Sequence, residues 1–486
     1  TIYLLLITSK SLIISFMNKL FPIIGCTLLM ASCTGIYKNY ERPQQLTQSI
    51  DSLYRNTTEN VVKADTANYG NTPWQQVFTD AQLQTLINKA LANNTNLLNA
   101  DLNIQQIQAG LKMERLAYYP SIAFQPQGSM SSWDFNKASK TYAFPIAASW
   151  QFGSMGTIRN TKKQYEMNLE VTKAAKQAAR TSIIANVANL YYTLQMLDEQ
   201  LKTTQATIEI WAENVRAMEA MKEGGMTTQA AVSQAKANYY NLQGTVPTLK
   251  NSISQTENAL CTLLCEAPHP ISRGAFNADN FPTQYAIGMP VQLLANRPDV
   301  HAAEMKIAAA FYGVNIAKSA FYPSLNITAQ GSWTNNAGMI VNPGKILATL
   351  LGSITQPLFT NGKLKANLKI SQLQYEAAQN DFKSTLLNAG QEVSNALAQY
   401  QAAAQKEEAC KKQVAELTTA LDNTKMLFQH STGTSYLETL TAQQSLIQVQ
   451  LSLISDKFDK VQAAINLYQA LGGGREVETN NNTNNN

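Results

Sequence analysis

In two long stretches of the chain, mostly apolar residues recur at alternating intervals of three and four residues. The first lies within residues 156–222, which contain no proline and no glycine after the first position. Its positions are Val187, Leu190, Leu194, Leu197, Leu201, Thr204, Ile208, Trp211, Val215 and Met218. The second stretch keeps this spacing at Val393, Ala396, Tyr400, Ala403, Glu407, Cys410, Val414, Leu417, Leu421 and Thr424. This period predicts long coiled-coil helices, the first about 100 Å long at 1.5 Å per residue.

Two shorter segments, 142–152 and 324–334, alternate with period two. In the second segment, one face carries Leu325, Ile327, Ala329, Gly331 and Trp333, and the other carries Ser324, Asn326, Thr328, Gln330 and Ser332. Uncharged strands of about ten residues, apolar on one face and polar on the other, are typical of a transmembrane β-barrel. A water-soluble sheet with one buried face would show the same alternation.

The chain reads as two copies of one unit. Ala-Tyr-Tyr-Pro-Ser at 117–121 returns as Ala-Phe-Tyr-Pro-Ser at 320–324, and Val187-Ala188-Asn189 returns as Val393-Ser394-Asn395. Each copy predicts a helix (80–117 or 297–320), two strands, a very long helix, a glycine turn and a returning helix. Four strands cannot close a barrel in a bilayer, where an open sheet edge is forbidden, so several chains must contribute strands.

The predicted division of the chain follows from these repeats. Residues 73–272 form repeat 1, 273–290 an inter-repeat segment, 291–474 repeat 2, and 475–486 a disordered asparagine-rich tail.

The N-terminal residues predict an exported lipoprotein. Met17-Asn18-Lys19 is followed by a short apolar run, so residues 1–32 are expected to be an upstream extension and a signal peptide starting at Met17. The run is too short to span a bilayer. Ser32-Cys33 resembles a lipobox, which implies lipid on Cys33 and a lipidated linker over 33–72. Thr34, in place of aspartate, implies sorting to the outer membrane. The alternative is a cysteine beside an ordinary cleavage site.

Composition argues against an enzyme or a nucleic-acid partner. The net charge is +5, and no basic cluster stands out along the sequence. The three histidines do not pair with cysteines or carboxylates at metal-ligand spacing, and no nucleotide-binding glycine pattern or nucleophile elbow is present. We therefore expect no catalytic residue, no metal and no cofactor beyond the lipid. Cys261, Cys265 and Cys410 are expected to be packing residues.

Several motifs in order carry a family resemblance. They are Asn296-Arg297-Pro298-Asp299-Val300, Ala302-Ala303-Glu304, the stretch 317–325 and the ending Leu-Tyr-Gln-Ala-Leu-Gly-Gly-Gly at 467–474. Over 73–474 the chain resembles the TolC-type outer membrane factors, in particular the NodT-like efflux lipoprotein branch.

The resemblance implies a mainly helical fold with a membrane β part. A homotrimer would share a twelve-stranded barrel, four strands per chain, continuous with a long periplasmic helical barrel in a Gram-negative envelope. A periplasmic adaptor and an inner-membrane pump, of the RND type, would be the partners. The expected function is the passive exit duct of a tripartite efflux pump for drugs or other toxic small molecules. A secretion duct for polypeptides and a structural coiled-coil envelope lipoprotein are the alternatives.

In that family the tips of the helix hairpins form the periplasmic entrance. Here they fall at 222–228 and 430–436, with Gly225 and Gly433. The family carries acidic residues at one or both of the positions that match Glu438 and Thr441, and only Glu438 is acidic here.

Overall fold

A computed structural model describes residues 37–43, 53, 68–132, 134, 137–151, 155–278, 281–282, 285, 296–334, 347–430 and 436–475. Cys33, Gly433 and the tail 476–486 lie outside the described residues. The described chain divides into two compact units. The first contains the described residues of 1–46, 106–170 and 304–381, and the second contains those of 47–105, 171–303 and 382–486. None of the described helices is both long and apolar enough to cross a bilayer.

Eight α-helices occur in the described residues. They are α1 (Trp74–Val77), α2 (Ala81–Asn93), α3 (Thr95–Leu116), α4 (Met155–Glu223), α5 (Gln229–Leu264), α6 (Pro298–Ser319), α7 (Lys363–His430) and α8 (Tyr436–Ala470). The helix expected over 80–117 is two helices, because Asn94 ends α2 in an extended conformation. The Asn94 side chain then accepts a hydrogen bond from the Asn96 backbone N–H at 3.0 Å and so caps α3.

The predicted heptad seams are confirmed. None of the predicted seam positions of α4 or α7 is exposed. Glu407, the charged position of the second seam, is buried, and its carboxylate binds Lys411 of the same helix and Lys460 of α8 at 2.8 and 2.7 Å. Cys410 donates to the Asp456 carboxylate at 3.0 Å one turn further along. The seam therefore changes locally from apolar packing to paired polar groups without losing its period.

One antiparallel sheet lies in the first unit. Its strands are β1 (Ser121–Phe124), β2 (Gln127–Ser131), β3 (Ser139–Gln151), β4 (Ser324–Thr334) and β5 (Leu347–Thr355). The order is β1-β3-β4-β5, and β2 also pairs with β3.

β1 and β2 are two halves of one interrupted strand. Phe124 faces Ile146 and Gln127 faces Ala143, so both halves keep one register against β3. The interruption lies at Gln125 and Pro126, where Gln125 donates its N–H to the Pro145 carbonyl of β3 but Pro145 has no N–H to return the hydrogen bond. The sequence-based expectation of four strands thus holds, with the first strand in two pieces.

Candidate functional site

The sheet separates apolar from polar side chains across its whole width. The register aligns Ile122, Ala148, Ala329 and Leu350 in one row across the strands. The neighbouring row on the opposite face contains Ala123, Ala147, Gln330 and Thr349. Since side chains alternate in a strand, the two faces differ in this way along the sheet, except that Leu347 and Leu351 of β5 lie on the polar face.

The apolar face is exposed in the single chain. Ile122, Leu350 and Ile354 are 73, 76 and 70% exposed, and Phe144, Ile146 and Trp333 also face outward. A contiguous apolar surface of this kind requires a partner protein or a lipid environment. The polar face presents mainly Ser, Thr, Gln and Asn, with alanines and two leucines among them, and it includes no charged residue among Ser324–Thr334 and Leu347–Thr355.

Both edges of the sheet are open to further pairing in the described residues. β5 pairs only with β4, and the interrupted strand β1/β2 pairs only with β3. An open edge inside a bilayer would leave backbone N–H and C=O groups unsatisfied. The geometry of one chain is therefore that of a segment of a larger barrel.

The first hairpin tip lies between α4 and α5. Gly225 has a φ of +73°, a conformation that glycine adopts without strain. The Thr228 side chain begins α5 by accepting a hydrogen bond from the Ala231 backbone N–H at 3.3 Å. Above the turn, Lys236 of α5 binds Glu219 of α4 at 2.7 Å. Of the predicted entrance residues, Gly225 thus lies where the sequence placed it, at the apex of a short turn.

The second tip is described from Tyr436 onward, so the prediction for Gly433 is not tested. Glu438 is exposed in the first turn of α8, where the helix dipole favours a carboxylate. Thr441 is also exposed, three residues further along. Three residues apart, the two side chains lie on the same side of the helix.

A buried cluster joins the two hairpins close to the tips. Its members are Trp211, Met218, Val232, Ala235 and Leu440. Beside it, the Asn214 amide of α4 donates to the Gln443 side-chain oxygen of α8 at 2.6 Å. The heptad pattern identified Trp211 and Met218 as seam residues, but no sequence signal indicated that Leu440 and Gln443 of the other hairpin meet them.

The Asn-Arg-Pro-Asp motif forms a structural clamp. The Arg297 guanidinium binds Asp299 through two nitrogens at 3.0 and 2.7 Å, the Glu392 carboxylate of α7 at 2.6 Å, and the Ala470 carbonyl of α8 at 2.9 Å. Asp299 also accepts from the Val300 backbone N–H at the start of α6. The motif therefore ties three helices together in the second unit.

The glycines of the C-terminal motif lie in close contacts where a side chain does not fit, and the first of them lies against the Asn-Arg-Pro-Asp motif. Gly472 has a φ of +79°, and a Cβ there would overlap the Asn296 carbonyl. Gly474 donates its backbone N–H to the Tyr468 hydroxyl, which in turn donates to the Thr72 carbonyl at 2.7 Å. Burial raises the pKa of that hydroxyl to about 12. Two of the motifs that carry the resemblance, at 296–300 and 467–474, thus meet in one packing contact.

Glu304, which ends the Ala302-Ala303-Glu304 motif, forms an ion pair within the first unit. Its buried carboxylate accepts two hydrogen bonds from Arg42, both at 2.6 Å. Tyr40 packs edge-on against Phe311 of α6. The predicted N-terminal linker is therefore bound to α6 over residues 37–43, a contact that the sequence did not indicate.

No metal or catalytic centre emerges from the described residues. No group of three or more His, Cys, Asp and Glu side chains lies close enough there to hold a metal ion. Cys261 is buried and its sulfur lies 3.5 Å from His269 Nδ1, while Cys265 is exposed at the end of α5. The functional geometry consists of an amphipathic sheet and two helical hairpins.

The sequence model of the "Outer membrane efflux protein" family matches residues 86–266 and 289–473, most of the chain. The chain belongs to the outer membrane efflux protein family. Its membership confirms the resemblance stated from the motifs, and with it an outer-membrane location and a role in efflux.

Curated relatives of this outer membrane efflux protein match most of its length. The cation efflux system protein CusC of Escherichia coli is 28% identical over 460 residues, covering 94% of this chain and 99% of CusC. The solvent efflux pump outer membrane protein SrpC of Pseudomonas putida is 27% identical over 421 residues, covering 84% of this chain and 88% of SrpC. The probable outer membrane lipoprotein SilC of Salmonella typhimurium is 25% identical, covering 93% of this chain and 98% of SilC.

Solved structures share the fold. The open state of the Neisseria gonorrhoeae MtrE outer membrane channel aligns with a TM-score of 0.81 at 26% identity, covering 90% of this chain and 98% of MtrE. A CusC crystal structure aligns with a TM-score of 0.80 at 26% identity, covering 90% of this chain and 99% of that one. The mainly helical architecture with a strand segment is therefore that of outer-membrane channels.

Proposed function

We propose that three copies of this chain form one duct whose membrane part is a twelve-stranded barrel. The observation that carries the proposal is the sheet: four strands with two open edges, an exposed apolar face and an uncharged polar face. Pairing β5 of one copy with β1/β2 of the next would satisfy every edge, and three copies give twelve strands. The apolar face would lie against lipid and the polar face would line a water-filled bore.

The helices would continue the duct into the periplasm, and the chain would consist of two tandem repeats. The order helix, two strands, long helix, returning helix occurs twice, with β1/β2 counted as one strand. The family model also matches in two segments of similar length. The hairpin tips at Gly225 and Glu438 would form the periplasmic entrance.

The duct would receive small molecules from an inner-membrane pump, of the RND type, through a periplasmic adaptor. This part of the proposal draws on the relatives, whose names describe a cation efflux system and a solvent efflux pump. The polar sheet face offers hydroxyls and amides without charge, which suits a bore that passes varied solutes. Cys33 would carry lipid as a second membrane anchor, as the lipoprotein name of the relative SilC supports.

Single-channel conductance in a planar bilayer tests the proposal, with two neighbouring substitutions on β5. Leu350→Lys puts a charge on the apolar face, where lysine costs about 2–4 kcal/mol at the bilayer midplane. Thr349→Lys puts the same charge on the polar face and is the matched control. We expect stepwise conductance and trimers for the natural protein and Thr349→Lys, and a severe loss of both for Leu350→Lys. Equal behaviour of the two variants, or no conductance from the natural protein, contradicts the proposal.

A further inference from the structure

All four helix connections of the sheet lie at the same end. α3 leads into β1 and α6 leads into β4, while β3 leads into α4 and β5 leads into α7. We call the chain segments at this end the collar. The collar consists of residues 112–120, 155–163, 314–323 and 356–369.

The collar is strongly basic. It contains nine basic residues and one acidic residue, Glu114, whereas the whole chain has 38 and 33. Two of the nine, Lys162 and Lys163, bind the Glu166 carboxylate just beyond the collar at 3.7 and 3.0 Å. The basic residues are Lys112, Arg115, Arg159, Lys162, Lys163, Lys318, Lys363, Lys365 and Lys369. They come from four separate chain segments, so only the fold brings this charge to one end of the sheet.

Two of these lysines, Lys363 and Lys365, lie in the first turn of α7, against the usual preference of a helix, and Lys369 follows in the second turn. Lys363, Lys365 and Lys369 are exposed, and no described carboxylate forms an ion pair with them. The first turn of α7 contains no acidic residue. Because the helix N-terminus is itself positive, cations there are unfavourable unless an anion lies nearby. α8 shows the ordinary arrangement, with Glu438 in its first turn.

Exposed apolar side chains lie directly beside these lysines. Leu358 and Phe359 are 93 and 84% exposed in the turn between β5 and α7. Asn361 and Gly362 follow with φ of +52° and +78°, and α7 then begins at Lys363. Apolar residues next to basic residues at the end of a membrane segment are typical of the bilayer interface.

From these features we infer that the collar binds the headgroups of anionic phospholipid in the leaflet on the helical side of the membrane. The lysines contact the phosphates, and Leu358 and Phe359 enter the acyl region. Net negative headgroups complement the seven basic residues of the collar that remain after Lys162 and Lys163 pair with Glu166, whereas zwitterionic headgroups do not. Each basic residue near such a surface strengthens binding roughly fivefold. The inference rests on the proposed function, because it requires the apolar sheet face to lie in the bilayer.

Lipid binding by the purified full chain in detergent tests the inference. Phosphatidylglycerol and phosphatidylcholine are titrated separately, and bound lipid is counted by native mass spectrometry. The natural protein should prefer phosphatidylglycerol at least tenfold, and the preference should fall steeply at about 0.5 M salt. The triple variant K363Q/K365Q/K369Q should lose most of this preference. The control triple K250Q/K412Q/K425Q, three exposed lysines of α5 and α7 outside the collar, should retain it.

Equal binding of both lipids by the natural protein overturns the inference, and so does an unchanged preference in the collar triple variant. Displacement of phosphatidylglycerol by millimolar inorganic phosphate also overturns it, since the collar would then be a site for free phosphate. Conductance of the natural protein in pure phosphatidylcholine bilayers separates this failure from that of the duct. If the protein conducts there without any lipid preference, only the collar inference fails; if it conducts in neither lipid, the proposed function fails.

Discussion

Gly472 lies against the carbonyl of Asn296 so closely that no side chain fits between them. The contact joins the end of α8 to the start of the Asn-Arg-Pro-Asp motif, and the positive φ of Gly472 makes the position doubly restrictive. Two regions more than 170 residues apart in sequence therefore constrain each other through one backbone contact.

Gly472→Ala should destabilise the protein by about 3 kcal/mol, from the strained φ and the overlap together. Gly225→Ala is the control, because Gly225 has a similar φ but nothing within 4 Å of its missing Cβ. That variant should lose only about 1 kcal/mol. The measurement is the apparent melting temperature of the purified protein in detergent. An equal decrease for both variants would show that overlap with Asn296 contributes nothing.

Arg297→Lys should also destabilise the protein, by about 2 kcal/mol, although it keeps the charge. Lysine cannot reproduce the two-nitrogen contact with Asp299 while also reaching Glu392 and the Ala470 carbonyl. The exposed Arg216 of α4 offers a matched Arg→Lys control with little expected effect. Conductance of the surviving Arg297→Lys protein should equal that of the natural protein. A change in conductance at full stability would instead place Arg297 in the transport path.

Glu407 should make stability depend on pH. Burial alone would raise the pKa of its carboxyl, but hydrogen bonds from Lys411 and Lys460 outweigh burial and hold that pKa below its usual range. The stabilisation is therefore complete above the unfolded carboxyl pKa of about 4.3 and is lost as pH falls through the lower folded pKa.

Glu407→Gln should lower the free energy of unfolding at pH 7 by on the order of 3 kcal/mol, and so lower the melting temperature. The melting temperature of this variant should also fall less steeply below about pH 4. Glu408→Gln is the control, since Glu408 is largely exposed and binds Lys412 at 3.5 Å. The test compares melting temperatures across pH for the three proteins. The assignment is wrong if Glu407→Gln and Glu408→Gln give the same curve.

Glu438→Gln should reduce cation selectivity if the second tip lines the entrance. Three copies of the carboxylate around one axis would attract cations and repel anions. We expect the potassium-to-chloride permeability ratio to fall about twofold and block by multivalent cations from the tip side to weaken about fivefold. Glu416→Gln removes an exposed carboxylate of α7 away from the tip and should change neither. Unchanged selectivity and block in Glu438→Gln would leave Glu438 as a solvated residue of the first helical turn.

Cys33→Ser should abolish labelling of the protein by a radioactive fatty acid. Lipid attaches through the cysteine sulfur, which serine lacks. Cys261→Ser keeps Cys33 and should label normally, so it controls for loss of a thiol. Efflux should survive in Cys33→Ser, because the proposed barrel would hold the protein in the membrane independently. Labelling that persists in Cys33→Ser would exclude this residue as the attachment site.

The regular parts of this fold were predictable because their patterns are local. The period of α4 and α7 and the alternation of β4 follow from residues a few positions apart. The role of Arg297 was not predictable, because its partners Glu392 and Ala470 come from other helices. The sequence shows the Asn-Arg-Pro-Asp motif, but it does not show which residues contact it.

Glu407 shows the same limit at a single position. Within α7 it is an irregularity of the seam, and only the position of Lys460 on α8 makes it a buried ion pair. The split of the first strand was also missed, because Pro145 comes to lie opposite Gln125 only when the strands pair. The basic collar was the hardest feature to predict from the sequence, since its charge comes from four separate chain segments.

The position of Pro126 also bears on how copies of the chain meet before assembly is complete. Gln125 donates its N–H to Pro145 on β3, so Pro126 faces away from β3, toward the open edge. A strand arriving at that edge finds no donor at this point, so wrong registers and chance partners are penalised. β5, at the other edge, contains neither proline nor charge. In the proposed trimer, the edge at Pro126 would therefore select its partner strand, whereas the β5 edge would pair with any strand, and the first encounter between copies would depend on that asymmetry.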